Sequence, residues 1–88
     1  MQDHVKKDSI KRLKSAKGHL EHVIGLVDSG RYCVDIIQQS LAVQAALREV
    51  DNLILKGHLE EHASKAMHGK NKEESIKEIV DLFSKARK

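Results

Sequence analysis

The feature that most constrains this fold is one apolar pattern that runs from about Arg31 to about Ala63. Apolar residues recur along it at helical spacing, and no helix-breaking residue interrupts them before Gly57. The chain also contains no proline. Because an α-helix rises about 1.5 Å per residue, the segment predicts a helix about 50 Å long. Such a helix is too long for a compact monomer of 88 residues, so the pattern favours assembly with other chains.

Two shorter helices are predicted on either side of the long one. The first covers about Val5 to Val27, where apolar residues again recur at helical spacing. Asp28-Ser29-Gly30 is typical of a turn, because glycine readily adopts the left-handed conformation that ends a helix. His68-Gly69-Lys70-Asn71 predicts a loop, and the third helix covers about Lys72 to Ala86. The apolar face of the third helix contains Ile76, Ile79, Val80 and Phe83.

Composition favours a single all-α domain, residues 1–88, that oligomerises. Charged residues make up 33% of the chain and aromatic residues only 2%, so the core of one copy is marginal. One cysteine cannot form an internal disulfide, and neither a signal peptide nor a membrane-spanning apolar run is present. We therefore expect a cytoplasmic protein without a membrane partner. Because no catalytic constellation is visible, we expect neither an enzyme nor a small-molecule substrate.

The only cysteine and two histidines are the candidate metal ligands. One thiolate from Cys33 and two imidazoles from His58 and His62 suit a soft or borderline metal. On a helix, the i, i+4 spacing of the two histidines places both imidazoles on the same face. Cys33 lies 25 residues before His58, which corresponds to about 37 Å along one straight helix. If the three residues bind one ion, the ligands must therefore come from two chains.

The long helix predicts how such a site would assemble. Cys33 and His58 lie almost symmetrically about Ala45 and Ala46, whose small side chains permit close approach of two helices. Two antiparallel copies that cross there would bring Cys33 of one chain beside His58 and His62 of the other. Twofold symmetry would then produce two equivalent sites per dimer. The ordinary alternative is a cysteine that acts as a small buried hydrophobe, with histidines that are merely polar.

Basic residues are concentrated in the first helix. Lys7, Lys11 and Lys14 share one face at i, i+4 and i+7. Arg12 lies in the same segment, and Arg48 of the long helix extends the candidate surface. Such a stripe suits contact with DNA phosphates, although a solvated helix face is the ordinary explanation of a charge run. No helix-turn-helix pattern is present, so groove reading by a recognition helix is not predicted.

Two further histidines, His19 and His22, lie at i, i+3 on the first helix. This spacing permits weak chelation of a metal. Surface histidines without further ligands explain the pair better.

Several motifs together resemble a known family. They are Arg12-Leu13-Lys14-Ser15-Ala16-Lys17-Gly18-His19-Leu20, Asp35-Ile36-Ile37-Gln38-Gln39, Val43-Gln44-Ala45-Ala46-Leu47, and Cys33 at its distance from Gly57-His58-Leu59-xx-His62. With these motifs the chain resembles, over nearly its whole length, the copper-sensing operon repressor family (CsoR/RcnR-like) of metal-responsive transcriptional repressors. The resemblance implies an antiparallel dimer and a disc-like homotetramer that is a dimer of dimers. It also implies that the apoprotein binds operator DNA and leaves it when metal binds.

The resemblance further implies a ligand set. Cys33 would be the thiolate ligand and His58 the first imidazole. The third ligand of the copper sensors is usually a second cysteine, and that position is His62 here. A Cys-His-His site suits Cu(I), which we expect, with Ni(II), Co(II) and Zn(II) as alternatives. The nickel and cobalt branch adds an N-terminal histidine, for which His4 is nearby but not in register.

Two residues match the pair that surrounds the first histidine in the family. They are Tyr32, adjacent to the cysteine, and Glu78 on the third helix. A metal-bound histidine usually donates its other N–H to an acceptor that fixes the orientation of the ring. The resemblance therefore implies that Glu78 couples metal binding to the third helix.

The sequence thus favours a metal-responsive repressor, and two other functions remain open. A helical oligomer that buffers or carries metal needs no DNA surface, and the basic first helix argues against it. A purely structural helical bundle would leave the candidate ligands without a role.

Overall fold

The computed structural model contains three helices and no strand among the residues that it describes. These are residues 1–68 and 72–86 for the backbone, and 1–62, 73–74, 76–82 and 84–85 for the side chains. The helices are α1 (Asp3–Asp28), α2 (Cys33–His68) and α3 (Lys72–Ala86). The predicted all-α class and the long second helix are confirmed. None of these helices is both long enough and apolar enough, over its described residues, to cross a membrane.

The long helix α2 contains 36 residues and ends later than its sequence pattern predicted. It begins at Cys33 rather than Arg31 and ends at His68 rather than Ala63. Residues 64–68 contain neither glycine nor proline, so nothing in this segment interrupts the backbone hydrogen bonds of the helix. The prediction that the loop begins at His68 was therefore wrong, and the other residues of that predicted loop, 69–71, lie outside the described part.

Helix α1 ends at the turn that Gly30 predicted. Gly30 has φ +67°, which is the left-handed conformation. The Gly30 N–H donates to the Val27 carbonyl at 3.1 Å, and the Arg31 N–H donates to the Leu26 carbonyl at 3.0 Å. This pair of bonds is the Schellman motif, which satisfies carbonyls that the end of a helix leaves unpaired. The turn allows α2 to begin only a few residues after α1 ends.

The chain divides into two compact units, Met1–Gly57 and His58–Lys88. In the first unit, α1 runs antiparallel to the first part of α2. Val5 near the start of α1 contacts the position of Gly57, whereas His19, farther along α1, contacts Gln39. The contacts therefore move backwards along α2 as they move forwards along α1, which is the register of an antiparallel helical hairpin.

The interior of the first unit is thin. Its buried apolar side chains are small, and among the described residues no side chain is less than 2% exposed. The buried side chains are Val5, Ser9, Ala16, Val23, Val43 and Val50. Five larger apolar residues of α1 remain 41–60% exposed; these are Ile10, Leu13, Leu20, Ile24 and Val27. Successive members of this set are three, four or seven residues apart, so they share one side of α1, which is apolar and open to solvent.

The second unit contains the end of α2 and all of α3. The predicted apolar residues of α3 are only partly covered. Ile79 is half-buried, whereas Ile76 and Val80 are 53% and 56% exposed. The side chain of Phe83, the fourth residue predicted for this face, lies outside the described part.

Candidate metal centre and nucleic-acid interface

The candidate thiolate ligand stands at the start of α2. Cys33 is the first residue of this helix, and its thiol is free and exposed. The carbonyl of the preceding residue, Tyr32, accepts hydrogen bonds from the N–H groups of Asp35 and Ile36 at 3.0 and 3.2 Å. These bonds form the first turn of α2 and hold Cys33 at its beginning. The side chain of Tyr32 is 70% exposed.

The two candidate imidazole ligands lie close together on α2. Their ring centroids are 4.4 Å apart, and the rings of His58 and His62 are tilted by 48° to each other. The spacing of one helical turn produces this arrangement, because residues at i and i+4 are neighbours on a helix surface. His58 is exposed and His62 is half-buried. Two neutral imidazoles this close can both direct a nitrogen lone pair towards one ion.

The candidate ligands are divided between the two compact units of the chain. No group of three or more His, Cys, Asp or Glu side chains that could hold a metal occurs among its described residues. Cys33 belongs to the unit Met1–Gly57, whereas His58 and His62 belong to the unit His58–Lys88. His4 lies exposed in the first turn of α1, also in the first unit. The donor set itself fits a metal, since it contains a free thiol and a close pair of imidazoles.

The candidate orienting residue Glu78 lies exposed on α3. Within the described side chains, no hydrogen bond or ion pair joins it to another residue. Its predicted contact with His58 therefore stays a prediction, as does that of Tyr32.

The basic residues of α1 differ in how far acidic neighbours neutralise them. The Lys7 ammonium forms an ion pair with the Asp3 carboxylate at 3.1 Å. The other two residues of the stripe, Lys11 and Lys14, are exposed and form no ion pair with any described residue. Arg48 on α2 is also exposed and unpaired within the described part of the chain. The positive charge available to a phosphate is therefore greatest at these three residues.

Arg12 has two acidic partners, one on each helix. Its Nε lies 3.3 Å from both carboxylate oxygens of Asp8, one turn earlier on α1. Its Nη1 lies 3.6 Å from Oε2 of Glu49 on α2. The i, i+4 pair with Asp8 was visible in the sequence, but the pair with Glu49 depends on the antiparallel register of the two helices. Sequence reasoning therefore missed Glu49.

A second cross-helix contact involves His19. Its Nε2 lies 2.7 Å from Oε1 of Gln39, and the contact is partly buried. Sequence reasoning treated His19 and His22 alike, as surface histidines. The sequence did not predict that the packing of α1 on α2 brings the half-buried His19 to Gln39, whereas His22 is exposed.

Comparison with known proteins identifies the family. Residues 5–85 match the family described as metal-sensitive transcriptional repressors. The chain belongs to this family. The resemblance that the sequence motifs suggested is thereby confirmed.

Individual relatives of this chain are named as copper sensors. The copper-sensing transcriptional repressor CsoR of Mycobacterium ulcerans (strain Agy99) is 37% identical over 76 residues, which are 86% of this chain and 65% of the relative. The copper-sensing repressor CsoR of Bacillus subtilis (strain 168) is 38% identical over 80 residues, which are 90% of this chain and 79% of the relative. The chain thus spans about 65% of the mycobacterial protein.

A solved structure confirms the three-helix fold of this chain. It is the crystal structure of the copper-sensing repressor CsoR with Cu(I) from Geobacillus thermodenitrificans NG80-2. The TM-score is 0.87 at 33% sequence identity, and the match covers 100% of this chain and 92% of the other. The likeness therefore extends over the complete chain rather than over one helical hairpin.

Proposed function

We propose that this metal-sensitive repressor is a copper sensor, which binds operator DNA as the apoprotein and releases it when Cu(I) binds. The names of its relatives and the Cu(I) content of the Geobacillus structure support the metal and the regulatory role. The close pair of imidazoles on α2 is the observation within this chain that supports the proposal most directly.

The proposed site combines Cys33 of one protomer with His58 and His62 of another. One thiolate and two imidazoles form a soft, three-coordinate donor set that suits Cu(I) better than hard divalent cations. An intersubunit site accounts for the lack of any three-ligand group among the described residues of one chain. His4 is proposed as an additional ligand only for Ni(II) or Co(II), which favour higher coordination numbers.

The proposed role of the surrounding residues follows from imidazole chemistry. A histidine that donates one nitrogen lone pair to a metal has an N–H on its other nitrogen, and an acceptor for this N–H fixes the ring. We assign this function to Glu78, with Tyr32 as a second neighbour of His58. Cys33, His58 and His62 would hold Cu(I), and the ion would draw these three ligands together when bound. Glu78 would then transmit the orientation of His58 to α3, which is the coupling that a sensor requires.

The proposed assembly is an antiparallel dimer that forms a disc-like homotetramer, a dimer of dimers. The thin interior of Met1–Gly57 supports it, because a hairpin with only small buried side chains gains little from its own packing. The exposed residues Leu13, Leu20, Ile24 and Val27 would lose their contact with water in such an assembly. In this proposal residues 1–88 act as one cytoplasmic domain without catalytic activity.

The proposed DNA surface is the basic face of α1, extended by α2. It contains Lys7, Lys11, Arg12, Lys14 and Arg48. Lys11 and Lys14 are its main phosphate contacts, because no described carboxylate neutralises them. Charge neutralisation on DNA releases counterions, so binding by this surface weakens steeply as salt concentration rises.

A metal titration tests the regulatory proposal. Operator DNA is first selected by the apoprotein from a random duplex library, and complex formation is followed by fluorescence anisotropy. Cu(I), Ni(II), Co(II) and Zn(II) are then added separately. Release at the lowest concentration by Cu(I) supports the proposal. Release by another metal reassigns the sensor, and failure of the apoprotein to bind any duplex leaves only a metal-buffering function.

A mixing experiment tests the intersubunit site. Cys33→Ala and His58→Ala should each abolish high-affinity Cu(I) binding, measured against a competing Cu(I) chelator. A heterodimer of the two variants still contains one intact site, so a random mixture should recover about a quarter of the wild-type stoichiometry. The matched control is His22→Ala, which removes an exposed imidazole outside the proposed site and should leave binding unchanged. No recovery in a mixture with confirmed heterodimers would exclude ligands from two chains.

A further inference from the structure

Arg12 is the only proposed DNA contact that is held by a carboxylate from another helix, among the residues that the structure describes. Its guanidinium lies within ion-pair distance of Asp8 on α1 and Glu49 on α2, at 3.3 and 3.6 Å. One positive charge thus faces two negative charges, and the local balance at Arg12 is negative. Lys11 and Lys14 have no such neighbours in the described structure. Arg12 therefore differs from Lys11 and Lys14, and also from Lys7, whose partner Asp3 lies on the same helix.

The pair with Glu49 is open to replacement by a phosphate. The side chain of Glu49 is 70% exposed and that of Arg12 is 49% exposed, so solvent and ligands reach both groups. Exposed ion pairs of this kind contribute little stability, because water screens them and two long side chains must be ordered. A phosphate oxygen presents the same negative charge and hydrogen-bond geometry to a guanidinium as a carboxylate does. Glu49 occupies the position at Nη1 that such a phosphate would take.

We propose that Glu49 competes with DNA phosphate for Arg12 and thereby lowers the affinity of the apoprotein for DNA. This inference rests on the proposed function, since it assumes that α1 contacts DNA. DNA binding replaces the Glu49 carboxylate at Arg12 by a phosphate, and Glu49 moves into solvent. Because Glu49 belongs to α2, the helix that also carries the proposed metal ligands, the competition makes the DNA contact of α1 sensitive to α2.

The test is a double-variant cycle with a charge control. Glu49→Gln removes the competing charge, so apoprotein affinity for the selected operator duplex should rise roughly two- to fivefold. The slope of log K against log salt should stay nearly unchanged, because Arg12 contacts a phosphate in both proteins and the number of phosphate contacts is the same. Asp51→Asn is the matched control, because it removes one exposed negative charge from α2 without a contact to Arg12. It should change affinity only slightly and leave the slope unaltered.

The Arg12→Gln background decides whether the effect passes through Arg12. In that background Glu49→Gln should have no larger effect than Asp51→Asn. Equal effects of the two substitutions in the wild-type background, or a Glu49→Gln protein that binds DNA more weakly, would overturn the proposal. Glu49→Ala carries the same expectation as Glu49→Gln, and circular dichroism and light scattering establish that each variant keeps its fold and assembly. If the wild-type apoprotein binds no DNA at low salt, the proposed function itself fails. If it binds DNA but Glu49→Gln has the same effect in the wild-type and Arg12→Gln backgrounds, only the role of Glu49 is refuted.

Discussion

A methyl group added at Gly57 tests the closest helix contact in the structure. Gly57 lies in the interior of α2, and its backbone is buried against Val5 of α1. A Cβ at this position would lie 3.0 Å from Val5 Cγ2, 3.2 Å from Cγ1 and 3.6 Å from Cβ. Carbon atoms that are not bonded prefer about 3.5–4.0 Å, so two of these contacts are too short. Val5 is 3% exposed and β-branched, which leaves it little freedom to rotate away.

The expected stability change combines two terms of opposite sign. Replacing glycine by alanine in a helix interior stabilises the helix by about 1 kcal/mol. Overpacking a well-filled contact costs about 1–3 kcal/mol. Gly57→Ala should therefore leave the free energy of unfolding unchanged or lower it by up to about 2 kcal/mol. The propensity term alone applies at Gly18, where an added Cβ meets nothing within 4 Å.

Gly18→Ala is accordingly the matched control, and it should stabilise the protein by about 1 kcal/mol. Both variants are measured by urea unfolding, followed by circular dichroism, at one fixed protein concentration because assembly contributes to stability. In a Val5→Ala background both short contacts disappear, so Gly57→Ala should then stabilise as Gly18→Ala does. With Val5 intact, stabilisation by Gly57→Ala as large as that by Gly18→Ala would contradict the expected clash. In that case α1 does not approach α2 at this position, and the antiparallel register of the two helices is wrong.

Two other predictions concern single positions. Ser9 is 3% exposed, and its Oγ has no hydrogen-bond partner among the described residues. Ser9→Ala should therefore raise the free energy of unfolding by about 1 kcal/mol, measured by the same urea titration. A loss of stability would indicate a partner for the hydroxyl. Gly30 has φ +67°. Gly30→Ala should lower the unfolding temperature by an amount that corresponds to about 1–2 kcal/mol. Gly30→Asn should lower it less, because asparagine tolerates this conformation. Equal unfolding temperatures for wild type, Gly30→Ala and Gly30→Asn would contradict the left-handed turn.

The elements that local sequence controls were predicted well. Apolar spacing indicated three helices, and Gly30 marked the end of α1 through the conformation that only glycine adopts without strain. The i, i+4 spacing of His58 and His62 predicted their adjacency, because the helix itself sets that distance. The end of α2 was misplaced by five residues, since helix propensity changes little between Ala63 and His68 and only weakly marks a boundary there. The assignment of Cys33 and the other ligand roles stays a prediction.

The sequence by itself thus determined the helices, the candidate ligands and the family, because these depend on residue type and on spacing along one chain. Only the tertiary structure decided which charged and polar residues meet across helices. Arg12 and Glu49 are 37 positions apart in the sequence, and His19 and Gln39 are 20 apart. Their pairing follows from the antiparallel register of α1 and α2, in which the Val5 side chain packs on Gly57, where no side chain stands in its way.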